Sequence, residues 1–209
     1  MLDLAVKEKM KANVTIKERK PGKMKKILFM TTTPTVGGNG DALIAAAMEE
    51  AKKSGGEVYQ VDIREKEIGF CKACYGCAET GVCVQKDDFM DILRLAHEAD
   101  AIIAEAPVYY NCMAAQMMTV INRLCCTFAC KSYQIGPKKR VGIFLTCTGS
   151  EEEEMKRHVR NIVTLPSVSR TISEYQTEVF TGCTSDSTCH DRTDYLDRAR
   201  KVARWVVEA

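Results

Sequence analysis

A short run of the chain carries four cysteines at a spacing that could bind a soft metal centre. Gly76 and Gly81 lie within this run, and glycine adopts backbone angles that other residues resist, so the segment can fold back on itself. Compact runs of four thiolates hold iron–sulfur clusters, whereas structural zinc more often takes two cysteine pairs separated by a long loop. The spacing therefore favours a [4Fe-4S] cluster over zinc, and ordinary packing of small thiols is the alternative. The four candidate ligands, separated by two, two and five residues, are Cys71, Cys74, Cys77 and Cys83.

The composition limits the class of protein. A chain of 209 residues forms one large domain, or one domain with an extension, and its net charge of +2 argues against a strongly basic nucleic-acid binder. Its apolar runs are too short to cross a bilayer, and no continuous apolar core of a signal peptide is present at the N-terminus. The cysteine count is odd, at 11, and no secretory leader precedes the chain, which makes a disulfide framework a poor explanation. We expect a soluble, cytoplasmic protein that binds neither nucleic acid nor membrane.

Residues 1–23 are predicted to form an N-terminal arm outside the domain. The segment is rich in lysine, and Pro21-Gly22 ends it with a chain break. It could be a solvated, partly helical arm, or it could pack on a neighbouring subunit through its scattered apolar side chains. The remaining residues, 24–209, are predicted to form one domain that contains a cysteine-rich loop at 68–86.

Five predicted strands alternate with helices along residues 24–209. Residues 27–30 form a continuous apolar run, which is typical of a strand buried on both faces. Strand patterns follow at 58–63, 100–106, 141–145 and 172–180, and a single long helix is predicted from Met113 to about Ala129. This alternation predicts an α/β fold with a doubly wound parallel sheet and helices on both faces. With five strands and right-handed crossovers, the flavodoxin-like order 2-1-3-4-5 is favoured.

The loop after the first predicted strand has the composition of a phosphate site. In the order 2-1-3-4-5, ligands bind beyond the carboxyl ends of the first and third strands. The loop is rich in threonine and glycine and leads into a helix, and free N–H groups at a helix N-terminus bind anions. No lysine or arginine lies between Thr31 and Asp41, so neutralisation of a phosphate would be weak. An ordinary surface loop with a helix cap at Asn39 or Asp41 is the alternative.

The loops after the third and fourth predicted strands could hold a flat ring. Tyr109 and Tyr110 offer aromatic faces, and Asn111 offers an amide for the edge of a heteroaromatic ring. Residues 146–149 would form a third wall. A phosphate at one end of the crevice and a flat ring at the other predict FMN, and an ordinary half-buried aromatic is the alternative for Tyr109.

Three segments of the chain resemble the iron–sulfur flavoproteins, a branch of the NADPH-dependent FMN reductase family with a flavodoxin-like fold. They are the loop at 33–43, the cysteine run leading into residues 86–90, and the stretch from Pro107 to Arg123. The likeness is good from about Lys25 to Leu145. The sequence departs from the family at Thr35, where the family has arginine, and at Gly40, where it has threonine or serine. These departures remove a cation and a hydroxyl from the phosphate loop.

The resemblance implies the cofactors and their contacts. The four cysteines would ligate the cluster, and the flavin would carry the chemistry, so no side chain is assigned a catalytic role. Relatives assemble as homodimers or homotetramers, with the cluster of one subunit near the flavin of another. The implied phosphate contacts are Thr33, Thr35, Asn39, Gly40 and the backbone of Asp41 and Ala42, and the implied ring contacts are Pro107, Val108, Tyr109, Tyr110, Asn111, Thr146, Cys147, Thr148 and Gly149.

Three functions are compatible with these features. The leading hypothesis is an FMN-dependent oxidoreductase or electron-transfer flavoprotein with a [4Fe-4S] cluster, which takes electrons from NAD(P)H or a small electron carrier. The second is a cluster-free NAD(P)H-dependent FMN or quinone reductase with free thiols. The third is a zinc- or thiol-based redox sensor that has lost its flavin.

Overall fold

Apolar strands and amphipathic helices alternate from residue 24 onward. The computed structural model describes residues 24–133, 136–184 and 189–208, so the predicted arm at 1–23 lies outside the described residues. Short 3-10 turns occur at Ile63–Glu65 and Cys189–Asp191. The strands and helices are β1 Lys26–Thr31, α1 Asn39–Lys53, β2 Glu57–Asp62, α2 Phe89–Glu98, β3 Ala101–Tyr109, β4 Cys112–Met113, α3 Ala115–Arg123, α4 Cys125–Ala129, β5 Lys139–Thr146, α5 Glu152–Val163, α6 Pro166–Ser169, β6 Ile172–Phe180 and α7 Thr193–Val207.

Five parallel strands form the sheet in the order β2-β1-β3-β5-β6. β1 lies between β2 and β3, because Ile27 pairs with Val58 of β2 on one side and with Ala101 of β3 on the other. β5 pairs with the other edge of β3, with Ala101 opposite Arg140. Counted along the five predicted strands, this order is 2-1-3-4-5, and the predicted fold class is confirmed.

Helices cover both faces of the sheet. Successive residues of a strand point to opposite faces, so Ile27 and Phe29 pack against α1 and α7 while Leu28 packs against α2, α3 and α5. All three side chains are buried, as the continuous apolar run predicted. An apolar cavity of about 170 Å³ lies on the face of the sheet where Leu28 packs. None of the predicted flavin-contact residues lines it. No helix in the described part of the chain is long and apolar enough to span a bilayer.

The prediction of one long helix from Met113 to Ala129 is wrong at both its start and its middle. Met113 pairs with Val108 in an antiparallel hairpin, so the helix begins only after it. The break follows Arg123, where the Leu124 N–H donates to the Ile121 carbonyl in a tighter turn. The hydroxyl of Thr127 donates back to the Leu124 carbonyl at 2.8 Å. Because these local bonds replace the regular helical ladder, α3 and α4 are separate helices.

Candidate functional site

The loop that joins β1 to α1 buries its first hydroxyls and exposes its turn. Residues 31–33 are at most 5% exposed, whereas the following residues reach solvent. The Gly38 N–H closes the turn by donating to the Thr35 carbonyl at 3.3 Å, and Gly37 lies in the left-handed region at φ +69°. The loop therefore delivers the chain into the first turn of α1, where backbone N–H groups have no acceptor within the helix.

Two residues predicted to contact the phosphate, Asn39 and Asp41 (the latter through its backbone), have side chains that already have partners. The Asn39 amide accepts the Cys189 N–H at 2.6 Å and donates to the Thr184 carbonyl at 3.2 Å. The Asp41 carboxylate accepts the Gly37 N–H at 2.7 Å. These side chains shape the loop, and the donors left for an anion are backbone N–H groups of the loop and helix.

Arg64 supplies a cation that the sequence analysis missed. It comes from the 3-10 turn after β2, the strand next to β1, and its guanidinium donates to the Thr35 carbonyl at 2.9 Å. It also forms ion pairs with Asp41, at 3.0 Å, and with Asp62. The available signal was its position at the end of a neighbouring parallel strand. Because it faces two carboxylates, Arg64 fixes the loop without leaving the phosphate site positively charged.

A carboxylate is buried beneath the loop, in the middle of β3 and opposite the end of β1. Glu105 is completely buried and accepts the Thr31 hydroxyl at 3.1 Å and the Thr33 N–H at 3.3 Å. The Thr146 hydroxyl, from the end of β5, donates to its other oxygen at 3.3 Å. Burial raises the pKa of Glu105 to about 7, although these hydrogen bonds act in the opposite direction. The signal in the sequence was one acidic residue within an otherwise apolar strand.

Gly40 is shaped by the same carboxylate. A Cβ atom at Gly40 would lie under 3.0 Å from both Glu105 carboxylate oxygens. Only glycine therefore fits at this position of α1 while Glu105 keeps its place. The structure thus gives a steric reason for glycine at this position.

The segment predicted to face the ring is a hairpin and not a loop leading to a helix. β3 and β4 pair through Val108 with Met113 and Tyr109 with Cys112, so Tyr110 and Asn111 form the turn. Both turn residues have positive φ, +51° and +57°, as two-residue hairpins require. A left-handed conformation at tyrosine costs about 1–2 kcal/mol. The hairpin leaves the Tyr110 side chain fully exposed and Tyr109 half-exposed.

The third predicted wall lies beside the hairpin. The Ser150 hydroxyl donates to the Asn111 amide oxygen at 3.0 Å and so links the loop after β5 to the turn after β3. Thr148 and Gly149 are exposed, whereas Pro107 and Cys147 are buried, and their backbone groups already bond to Ala114, Phe180 and Cys183. Glu105 joins Thr31 to Thr146, so the structure brings the three predicted segments to one edge of the sheet. Their contact with a flavin stays a prediction.

The cysteine-rich loop lies between the 3-10 turn after β2 and α2. Ala73 and Tyr75, which lie between the first three cysteines, have positive φ values of +50° and +55°. Phe70 and Tyr75 expose about three quarters of their side chains, at 72% and 76%. Such strain and exposure in residues that are not glycine indicate a segment held for a purpose other than core packing.

Arg123 of α3 ties the two ends of the cysteine-rich loop together. Its guanidinium is 1% exposed, donates to the Gly69 carbonyl at 2.7 Å and pairs with Asp87 at 2.6 Å. It also donates to the Cys83 sulfur at 3.2 Å and lies 4.6 Å from the centre of the Phe89 ring. The resemblance included Arg123 in a motif, but its role as the anchor of the loop was not predicted.

The four predicted cluster ligands share one neighbourhood without forming a metal site. Burial raises the pKa of Cys77, and the nearby thiols of the other three predicted ligands add to this effect. Within the described residues, no three cysteine, histidine or acidic side chains are placed closely enough to hold a metal ion. The other three predicted ligands thus lie near enough to Cys77 to affect its pKa, and the ligation of a metal by these four cysteines stays a prediction.

A second thiol pair lies beside the phosphate loop. The sulfur atoms of Cys183 and Cys189 are 3.5 Å apart, and the Cys189 backbone holds Asn39. The sequence spacing gave no signal for this pair because β6 and the 3-10 turn after it bring the two residues together. His190, next to Cys189, contacts the Gly37 carbonyl at 3.0 Å.

The chain is similar to proteins of known families. Residues 25–177 match the model of NADPH-dependent FMN reductases. The chain is 42% identical over 92 residues to an iron–sulfur flavoprotein of Archaeoglobus fulgidus, which covers 44% of this chain and 42% of that protein. It is 32% identical over 137 residues to an iron–sulfur flavoprotein of Methanosarcina thermophila, which covers 66% of this chain and 70% of that protein. The aligned segment thus spans less than half of the first relative.

Solved structures agree on the fold. An NAD(P)H:quinone oxidoreductase from Methanothermobacter marburgensis superposes with a TM-score of 0.67 at 14% identity, over 87% of this chain and 98% of that one. A flavone reductase superposes with a TM-score of 0.64 at 18% identity, over 88% of this chain and 62% of that one. At such low identities these structures show the fold alone. The match over residues 25–177 shows that the chain belongs to the NADPH-dependent FMN reductase family, a family of flavin-dependent oxidoreductases.

Proposed function

We propose that the protein is an FMN-dependent oxidoreductase that passes electrons between its flavin and a [4Fe-4S] cluster in the cysteine-rich loop. One observation supports the flavin above all others: the phosphate loop, the Tyr109–Tyr110 hairpin and the loop after β5 meet at the carboxyl edge of one sheet, joined through Glu105. Parallel α/β sheets bind ligands at this edge. Electrons would come from NAD(P)H or a small electron carrier.

The residues present fit FMN in the chemistry of their donors. The first turn of α1 offers backbone N–H groups to a phosphate, and the exposed aromatic side chains of Tyr109 and Tyr110 can lie against an isoalloxazine ring. FMN, when bound, would supply hydride and single-electron chemistry. The protein's own residues would orient the ring and hold the phosphate, with Ser150 and Asn111 fixing the hairpin against the loop after β5.

The residues of the cysteine-rich loop fit a thiolate-ligated cluster in type and surroundings. Four thiols lie near one another, and Arg123 donates a charged hydrogen bond to one of them, Cys83. Hydrogen bonds to ligating sulfur stabilise the thiolate and tune the potential of a cluster. Arg123 would hold the loop in place and exclude water from its inner side, while the exposed Phe70 and Tyr75 would offer an apolar surface outside. That surface suits a second copy of the chain, and we infer a homodimer or homotetramer in which cluster and flavin of different subunits approach.

The test is metal, sulfide and flavin analysis of protein purified anaerobically. The expected result is FMN with about four iron and four sulfide per chain, as a four-thiolate cluster requires. Cys74→Ser should lower the iron and sulfide content and leave FMN unchanged. Cys112→Ser is the matched control for iron and sulfide content, because Cys112 is also an exposed cysteine but lies outside the cysteine-rich loop. Protein that contains neither flavin nor iron contradicts the proposal.

A cluster-free NAD(P)H-dependent FMN or quinone reductase is the second candidate. It is favoured by the finding that the thiols of the described residues do not adopt metal-binding geometry. Steady NADPH oxidation by protein that contains FMN but no iron would select it. A zinc- or thiol-based sensor, in contrast, would contain stoichiometric zinc and no flavin. In each case we infer a cytoplasmic location, because free thiols persist in a reducing compartment.

A further inference from the structure

We propose that this protein binds the phosphate of its flavin together with a proton, which is held by Glu105 beneath the phosphate loop. The inference depends on the proposed FMN site and states which form of that site accepts the phosphate. It concerns a residue to which neither the cysteine motif nor the phosphate-loop pattern pointed.

The position of Glu105, beneath the phosphate loop and the first turn of α1, is the first observation that supports this proposal. Its carboxylate accepts the Thr33 N–H, at the start of the phosphate loop, and lies directly under Gly40 in the first turn of α1. One loop donor that would serve a phosphate, the Thr33 N–H, therefore already faces a carboxylate. Two anions would lie close to the same loop and helix turn if both were ionised.

The surroundings of Glu105 offer no counter-charge among the described residues. Its partners are the hydroxyls of Thr31 and Thr146 and the Thr33 N–H, all of them neutral. The nearest thiols, Cys183 and Cys189 from the segment after β6, interact with Glu105 electrostatically and would add negative charge if ionised.

The charged groups around the loop are paired with one another. Arg64 is bonded to Asp41 and Asp62, and Arg192 pairs with Asp194 at 3.0 Å. His190 contacts the Gly37 carbonyl on the outer side of the loop. A phosphate dianion that enters this site would meet an uncompensated carboxylate, unless Glu105 takes up a proton.

Movement of the side chain is a poor alternative to protonation. Glu105 is completely buried, and its carboxyl group is enclosed by β1, β5 and the first turn of α1. The neutral acid keeps its acceptor oxygen and gains an O–H that can donate to a neighbouring threonine hydroxyl, so it stays hydrogen-bonded without its charge. The buried carboxyl has a raised pKa because of desolvation, so protonation near neutral pH needs little energy.

The experiment measures the Kd of FMN and of riboflavin for the flavin-free full chain at pH 6.5, 7.5 and 8.5. With a pKa of about 7 for Glu105, the Kd of FMN should rise roughly 25-fold between pH 6.5 and 8.5, since one proton must be bound before the phosphate. Riboflavin has no phosphate, so its Kd should change little. Glu105→Gln keeps the size of the side chain without its charge, and its FMN affinity should vary far less with pH.

Calorimetry on the unaltered chain supplies a second readout that needs no folded variant. FMN binding at pH 8 in buffers of different ionisation enthalpy should show uptake of about one proton, and riboflavin binding should show none. Glu98→Gln removes an exposed carboxylate from α2 and should keep the steep pH profile of the unaltered chain.

The outcomes separate the inference from the function it depends on. Identical pH profiles for the unaltered chain and Glu105→Gln, or FMN binding without proton uptake, overturn the role of Glu105 and leave the FMN site intact. Failure of both proteins to bind FMN at every pH overturns the proposed function as well. Tighter FMN binding by Glu105→Gln at pH 8.5, with unchanged riboflavin binding, supports the inference.

Discussion

Replacing Asp87 by asparagine should destabilise the protein more than any exposed charge substitution. Asp87 faces Arg123, whose side chain is 1% exposed, and the carboxylate itself is 13% exposed. Removing one partner of a buried ion pair typically costs about 3–5 kcal/mol because the other charge is left without compensation. Arg123 keeps its bonds to Gly69 and Cys83, so we expect the lower end of this range, about 3 kcal/mol. For a chain of this length the midpoint of thermal unfolding should fall by about 6–12 °C.

Urea unfolding followed by circular dichroism measures this loss, on iron-free protein so that cluster loss does not contribute. Glu98→Gln is the matched control, because Glu98 pairs with Arg94 on the surface of α2 at 3.3 Å, with side chains 49% and 56% exposed. That change should stay within about 0.5 kcal/mol. Adding Arg123→Met to Asp87→Asn should recover part of the loss, since no charge then remains buried.

The pH dependence of the free energy of unfolding gives a second check on the role of Asp87. Burial opposes ionisation of Asp87, but hydrogen bonds from Arg123 and from the Gly69 and Phe89 N–H groups outweigh it and hold its pKa below the usual value. Stabilisation by this carboxylate is therefore complete above its unfolded pKa of about 3.9 and is lost as the pH falls through the lower folded value. Asp87→Asn should lack this acid-dependent loss. A cost below about 1 kcal/mol, or an unchanged acid transition, would refute the view that this pair anchors the loop.

Three further predictions concern the core beneath the site. Glu105 has a folded pKa of about 7, raised by burial, so its contribution to stability is present below its unfolded pKa and lost as the pH rises through 7. In urea titrations without flavin, Glu105→Gln should therefore match the unaltered chain near pH 5 and exceed it by up to about 3 kcal/mol at pH 8.5. Gly40→Ala should lower stability by about 1–3 kcal/mol through contact with Glu105, and Glu105→Ala in the same chain should remove most of that loss. Gly142→Ala places a Cβ 2.6 Å from Val202 and should lower the stability measured by thermal unfolding by a similar amount. Gly136→Ala, with open space around its Cβ, should leave the midpoint of thermal unfolding unchanged.

The fold could be predicted from the sequence because buried parallel strands have a simple pattern. Residues 27–30 and 141–145 are apolar without interruption, and both lie in strands covered by helices on two faces. The order of the strands followed from their number and from the handedness of crossovers. These rules depend on local pattern and chain topology, which a single sequence contains.

The hairpin after β3 and the anchor of the cysteine-rich loop could not be predicted in the same way. The pattern from Met113 onward favours a helix, yet pairing with Val108 claims Met113 for β4. Arg123 lies on a helical pattern where a basic residue is expected to face solvent, yet it points inward because Asp87 and Gly69 meet it there. In the first case strand pairing within a hairpin outweighs the helical preference, and in the second a contact distant in sequence does so.

The departures of the phosphate loop from its family pattern form one connected arrangement. Glycine at position 40 leaves room for the Glu105 carboxylate. Arg64 reaches from the turn after β2 to the carbonyl of Thr35, the position at which the resemblance predicts an arginine. A loop that had merely lost its ligand would not need a buried carboxylate held by three donors from β1, its loop and β5. The arrangement is better explained by a site still built for an anion, with the charge balance moved from a cation in the loop to a proton beneath it. On this reasoning the sensor without flavin is the weakest of the three functions, and FMN binding by the purified chain tests it, whereas iron and sulfide analysis separates the other two.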